Sequence, residues 1–172
     1  MLLDCDFHIH SKYSGATSEQ MSFEAISQQA PLKGLSIVGT GDALHNAWLK
    51  EISFLNPFSD GIYEKRKCKF VITTEVEDAH RVHHLIFLPE VSSAESLRET
   101  FKKFSADIDA DGRPRLRLSG EELVDYVDEV EGLIGPAHAF VPWTSIYKEY
   151  SSIKECYGSN AKKIKFLELG LS

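Results

Sequence analysis

His8 and His10 stand two residues apart at the end of a short apolar stretch, Leu2 to Phe7. In an extended chain residues i and i+2 share a face, so both imidazoles point the same way and can hold one cation. Neutral imidazole is a common ligand for Zn or Mn at about 2.0–2.2 Å. A carboxylate such as Glu75 can bridge two cations, offset their mutual repulsion and let them share one water. Further groups of the same chemistry are Asp42 and His45, His83 and His84, and His138. Taken singly, each has an ordinary explanation: His-x-His as surface histidines, Glu75 as one more solvated carboxylate beside Glu77 and Asp78, His80 as part of the polar turn from Asp78 to Arg81. Taken together they follow successive apolar segments, a placement that chance histidines have no reason to adopt. The joint reading is a polynuclear metal site.

The elements that must position these groups follow from periodicity. Short apolar runs at Leu2–Phe7, Leu35–Val38, Phe70–Thr73, His84–Leu88, Leu133–Ala137 and Ile164–Leu169 predict about six strands. Helices are predicted from Ser22 to Gln29, stopped by Pro31, from Ala94 to Phe104, and from Glu121 to Val130 with Ser119 as cap. Asp111-Gly112-Arg113-Pro114 predicts a turn, and Ile153–Tyr157 a short helical turn. Alternation of apolar runs with helices implies parallel βαβ units, and in such folds sites gather at the carboxyl ends of the strands. The fold class expected is therefore α/β.

Composition bounds the rest. The 172 residues suit one domain with a real core. With 42% hydrophobic and 26% charged residues, and no long apolar run, membrane, secretory and disordered classes are set aside. Cys5, Cys68 and Cys156 form no C-x-x-C pair, which excludes a disulfide framework and suits a reducing cytoplasm. The formal charge of −7 argues against gripping nucleic acid over the whole surface, though not against a local site. Basic runs at Lys65–Lys69, Arg113–Arg117 and Lys162–Lys165 read as solvated faces.

The motifs Asp6-Phe7-His8-Ile9-His10-Ser11, Gly39-Thr40-Gly41-Asp42, Thr73-Thr74-Glu75, Val82-His83-His84-Leu85 and Pro136-Ala137-His138 resemble those of the polymerase-and-histidinol-phosphatase (PHP) superfamily of metal-dependent phosphoesterases. Within it the endonuclease Q group is the nearest match. That narrower likeness rests on His8 to Ser14, Gly39 to His45 with Trp48, Asp111 to Pro114, Pro136 to His138 with Pro142-Trp143, Glu155 to Gly158, and Glu168 to Ser172. The resemblance implies a distorted seven-stranded (β/α) barrel with up to three Zn or Mn ions at its mouth, Mg being a further option. It carries over His8, His10, Glu75, His83 and His138 as ligands, with Asp42 and His45 for a third ion. It also implies Glu75, His138 and Asp42 as catalytic residues. His83 is preferred to His84 because the group's pattern places a histidine two before Leu85. Two departures stand out: the usual Thr-Asp-His of the second motif is here Asp42 with histidine only at His45, and the family's last Ser-Asp-Ala-His motif would follow Ser172.

The resemblance implies a metal-dependent phosphodiesterase acting on DNA, nicking on the 5′ side of uracil, hypoxanthine, xanthine or abasic sites. Reading an extruded base needs stacking groups, and Trp143 and Tyr147, just past His138, could supply them. The alternatives are a small-molecule phosphomonoesterase of the histidinol-phosphatase type and a noncatalytic metal-stabilised module of a larger DNA-processing protein. Residues 1–172 are expected to form one metallophosphoesterase domain. Because the chain stops on an apolar run with no covering helix, the barrel is expected to be cut short, its next βα unit lying in a C-terminal remainder of the same protein.

Overall fold

The computed structural model describes residues 2–170. Leu171 and Ser172, the end of the last quoted motif, lie outside the described residues. Strands β1 (Cys5–Asp6), β2 (Ile37–Gly39) and β5 (Cys68–Glu77) pair in parallel. Among the described residues the remaining strand ladders are antiparallel: β3 (Asn56–Ser59) with β4 (Ile62–Lys65), β4 with β5, β5 with β6 (His83–Leu88), and β6 with β7 (Leu133–Pro136). The result is a mixed seven-stranded sheet with helices packed on it, an α/β fold.

The expected all-parallel arrangement is corrected by loop length. Parallel neighbours need a crossover of a dozen or more residues. Only Asp60-Gly61 separates β3 from β4, only Arg66-Lys67 separates β4 from β5, and five residues separate β5 from β6, so each of these turns must be a hairpin. Asp60-Gly61 is itself a hairpin signal between Asn56–Ser59 and Ile62–Lys65. The expected strand Ile164–Leu169 is extended but not a sheet strand. Two backbone bonds, Glu168 N–H to Pro136 O (3.1 Å) and Ala139 N–H to Glu168 O (2.8 Å), hold it beside the end of β7. His138, at φ 30°, turns the chain there and breaks the ladder. Among the described residues no ladder joins β1 to β7.

The helices are α1 (Phe23–Leu32), α2 (Asn46–Ile52), α3 (Val91–Phe101), α4 (Gly120–Glu129), α5 (Ile146–Glu149) and α6 (Ile153–Tyr157). Pro31 sits inside the last turn of α1 rather than ending it, and α2 follows directly on the Gly39–His45 motif. Ser119 and Glu122 close a capping box at the start of α4.

Core packing reaches into the site through Trp48. Its ring, fully buried, stacks on Phe23 with centroids 4.0 Å apart. Its Nε1–H donates to the carbonyls of Thr40 (3.0 Å) and Gly41 (2.9 Å). One side chain thus anchors the loop that carries Asp42. Gly41, at φ +61°, sits so close to the first histidine segment that a Cβ would lie 2.2 Å from the Ile9 carbonyl oxygen, which leaves room only for glycine.

Candidate metal centre

Glu75 lies near the carboxyl end of β5, 2% exposed. Burying a carboxylate is costly unless it is paired. Four imidazoles surround it. Its Oε1 lies 3.3 Å from His8 Nε2, 2.9 Å from His83 Nδ1 and 3.0 Å from His138 Nε2, and its Oε2 lies 3.3 Å from His10 Nε2. The ligand atoms divide into two groups, His8–His10–Glu75 and Glu75–His83–His138, each within a span of 4.8 Å and sharing Glu75. Contacts with the imidazoles hold the Glu75 carboxyl well below the usual carboxylate range although burial pushes the other way. Burial disfavours charge on His8 and His10, yet the carboxylates Glu168, Glu75 and Asp42 outweigh it and raise them to about 10 and about 9. The cluster is built to be occupied by positive charge.

Each element contributes for a local reason. His8 and His10 extend from β1 on one face, ring centroids 5.4 Å apart. His83 opens β6 opposite Glu77 of β5, and a strand turns the next residue to the other face. His84 accordingly points into the core, where it meets Tyr157 Oη (2.8 Å) and Asp78 Oδ2 (3.2 Å). Of the doublet, only His83 reaches the cluster. His138 enters from the kink after β7, its N–H donating to Glu168 (2.8 Å).

Behind three of the four imidazoles stands a second carboxylate that fixes ring and tautomer, as metal-binding histidines require. Glu168 Oε2 is 2.7 Å from His8 Nδ1, Asp42 Oδ1 is 2.9 Å from His10 Nδ1, and Glu77 Oε2 is 3.2 Å from His83 Nε2. Asp42 is fully buried at φ 48°, and both its oxygens are engaged. Oδ2 accepts from the N–H and hydroxyl of Ser11 (2.6 Å each), and Oδ1 also accepts from Ser14 (3.1 Å). Asp42 therefore stands behind His10 rather than among the ligand atoms. His45 is not brought to the cluster. Its ring stacks on Tyr13 at 4.3 Å, and burial lowers its pKa. Trp143, 74% exposed, lines the open cavity over the cluster together with Arg113, Val141 and Thr144. Tyr147 stacks on Phe140 at 4.9 Å.

Glu168, Glu77 in its supporting role, and Arg113, whose Nη1 lies 3.4 Å from Glu75 Oε2, were not singled out as site residues by sequence. The signal for two of them was present: Glu168 opens the motif Glu-Leu-Gly-Leu-Ser, and Arg113 sits in Asp-Gly-Arg-Pro. A further buried group, Asp78, His84 and Cys156, is explained by hydrogen bonding, since both nitrogens of His84 are satisfied. The three cysteines are free. Among the described residues no helix is long and apolar enough to cross a membrane.

The donor set fits divalent cations: four imidazoles with one nitrogen each aimed at a shared buried carboxylate, three of them fixed from behind. No family profile matches the chain. An uncharacterized protein of Methanocaldococcus jannaschii is 48% identical over 149 residues, 87% of this chain and 18% of its own length. The lesion-specific endonuclease PfuEndoQ of Pyrococcus furiosus superimposes with TM-score 0.95 at 51% identity, over 100% of this chain and 43% of that one. Endonuclease Q in complex with a 27-mer duplex substrate bearing an abasic lesion at the active site gives TM-score 0.94 at 50% identity, over 99% and 43%. A metal-dependent phosphoesterase of Bifidobacterium adolescentis, at 14% identity and TM-score 0.58, shares the fold. The chain thus spans less than half the length of these endonucleases and under a fifth of the curated relative. Over its whole described length, then, the chain shares its fold and half of its residues with the endonuclease Q proteins.

Proposed function

We propose that this chain is the metal-holding unit, residues 1–172, of an endonuclease that hydrolyses the DNA backbone on the 5′ side of uracil, hypoxanthine, xanthine or an abasic site. The observation that carries the reading is Glu75, a buried carboxylate shared by His8 and His10 on one side and His83 and His138 on the other. Zn or Mn bound there would make a water nucleophilic at neutral pH and offset charge on the phosphoryl oxygens. The protein supplies the frame. Glu75 would bridge, the four histidines would fix the positions, and Asp42, Glu77 and Glu168 would keep the metal-facing nitrogens of His10, His83 and His8 unprotonated. Trp143 stands over the same cavity with most of its ring free, suited to stacking on an extruded base, and Tyr147 on its Phe140 platform is the second such surface. The likeness to a lesion-specific endonuclease and to one holding an abasic duplex favours DNA over a small phosphomonoester. A cytoplasmic setting, where DNA and free thiols coexist, suits the three free cysteines.

The test is nicking of duplexes carrying a single uracil, hypoxanthine or abasic site by the full-length, Mn- or Zn-loaded protein, against hydrolysis of nitrophenyl phosphate. Cleavage 5′ of the lesion, lost with chelator, is expected. Turnover of the monoester with no cleavage of any damaged duplex would refute the reading.

A further inference from the structure

We propose that Arg113 grips the scissile phosphate. This rests on the phosphodiester reading above but assigns a residue that metal ligation does not. Among the described residues lining the open cavity over the cluster, Arg113 is the one permanent cation. Its guanidinium stands 3.4 Å from Glu75 Oε2, with the side chain about one-third exposed at 34%, so its fork reaches both the cluster and the space above it. The other two arginines of the same basic run turn away. Arg115 is 72% exposed and pairs with Glu77, and Arg117 donates to the Lys103 carbonyl.

The loop that carries Arg113 is built to hold it. Arg113 N–H donates to Asp111 Oδ1 (3.0 Å), Gly112 N–H donates to the Tyr13 carbonyl (3.0 Å), and the Pro114 carbonyl accepts from Glu77 N–H (3.0 Å). Gly112 is pressed so close to the His10–Asp42 pair that a Cβ would lie 2.4 Å from the Asp42 carboxylate. The backbone on either side of Arg113 is therefore tied to the two segments that bring His10 and Glu75 together. A guanidinium on so fixed a loop is pre-organised, which is how a charge-stabilising donor acts best.

Electrostatics decides what it binds. Glu75 already faces four imidazoles, and the one carboxylate oxygen within reach of Arg113, Oε2 at 3.4 Å, is shared with His10 Nε2, so the guanidinium charge is only partly offset. An anion that spans cluster and guanidinium restores the balance. A phosphodiester has two non-bridging oxygens, and a planar fork can hold them in a way that a point-charge ammonium cannot.

The experiment uses the full-length, metal-loaded protein and its Arg113→Gln and Arg113→Lys variants. Expected are unchanged metal content by mass spectrometry, duplex binding within about threefold, and single-turnover nicking of an abasic duplex down about 100-fold for Gln and about 10-fold for Lys. Inorganic phosphate, measured by calorimetry, should bind the wild type and not Arg113→Gln. Nicking by Arg113→Gln within threefold of wild type, equal phosphate affinity in the two, or loss of a metal equivalent would each overturn the assignment, the last by making Arg113 a scaffold for Glu75. Phosphate binding that depends on Arg113 in a wild type that cuts no damaged duplex would instead uphold Arg113 and overturn the DNA substrate.

Discussion

Asp42→Asn tests how the cluster keeps its imidazoles ready for a cation. Asp42 is fully buried and accepts from Ser11 N–H and Ser11 Oγ on one oxygen, and faces His10 Nδ1 and Ser14 Oγ on the other. The backbone N–H of Ser11 can only donate, so the asparagine carbonyl must stay on that side and its NH2 group must face His10. His10 Nδ1 then has to accept, which moves the ring proton to Nε2, the atom 3.3 Å from Glu75. A protonated Nε2 cannot ligate. Losing a partner of this kind costs about 10–100-fold in metal affinity, or roughly 1.4–2.7 kcal/mol. The fold should lose about 2–3 kcal/mol from weakened charge-assisted bonds, a fall in Tm of roughly 4–12 °C for a chain of this size. Competition against a chelator of known affinity measures the first quantity, and calorimetry of the metal-free protein the second. Metal affinity within twofold of wild type refutes the tautomer argument. Loss of one whole metal equivalent shows Asp42 to be a ligand itself, as the family pattern implies.

Glu75→Gln should remove the bridging charge, so metal content drops and nicking falls more than 100-fold while duplex binding stays within a few fold. A variant keeping a tenth of the wild-type rate, about 1.4 kcal/mol of barrier, is incompatible with a bridge. Trp48→Phe keeps the stack on Phe23 but strands the Thr40 and Gly41 carbonyls, so denaturant unfolding should show a loss of about 2–3 kcal/mol. Burial pushes the Asp78 carboxyl up, but the bond to His84 prevails and holds it below its ordinary value of 3.8. Its contribution is therefore present above about pH 4 and fades as pH falls further. Asp78→Asn should be less stable than wild type at pH 7, with the gap narrowing towards pH 3; a gap independent of pH would show that the His84 bond is not the cause.

What the sequence could disclose follows from which interactions are local. The capping box at Ser119 and Glu122 lies within one turn, and the β-α-β start is written in apolar spacing, so both are readable without a structure. Strand direction is a property of pairing, and alternating elements imply parallel units only where the connections are long enough to cross over. Asp78–Val82 is too short to return a chain to the same end of a sheet, so β6 had to run against β5. The β3–β4 hairpin was missed because its outer strand is exposed along its whole length and has no apolar alternation to show.

The site divides along a similar line. Histidines are scarce and chemically specific, so a set of them after successive strands stands out, and Glu75 comes with them by position. The carboxylates that hold the imidazoles do not stand out, because Asp and Glu supply 26 of the residues and most are solvated. Glu168 meets His8 across 160 positions of sequence and Asp42 meets His10 across 32, distances over which no periodicity carries information. Nor could the doublet be resolved by type, since His83 and His84 are alike until β6 turns one to the cluster and the other to Tyr157. Side-chain chemistry names the ligands, then, while the order of a strand and the reach of a distant carboxylate decide which nitrogen is offered to the metal.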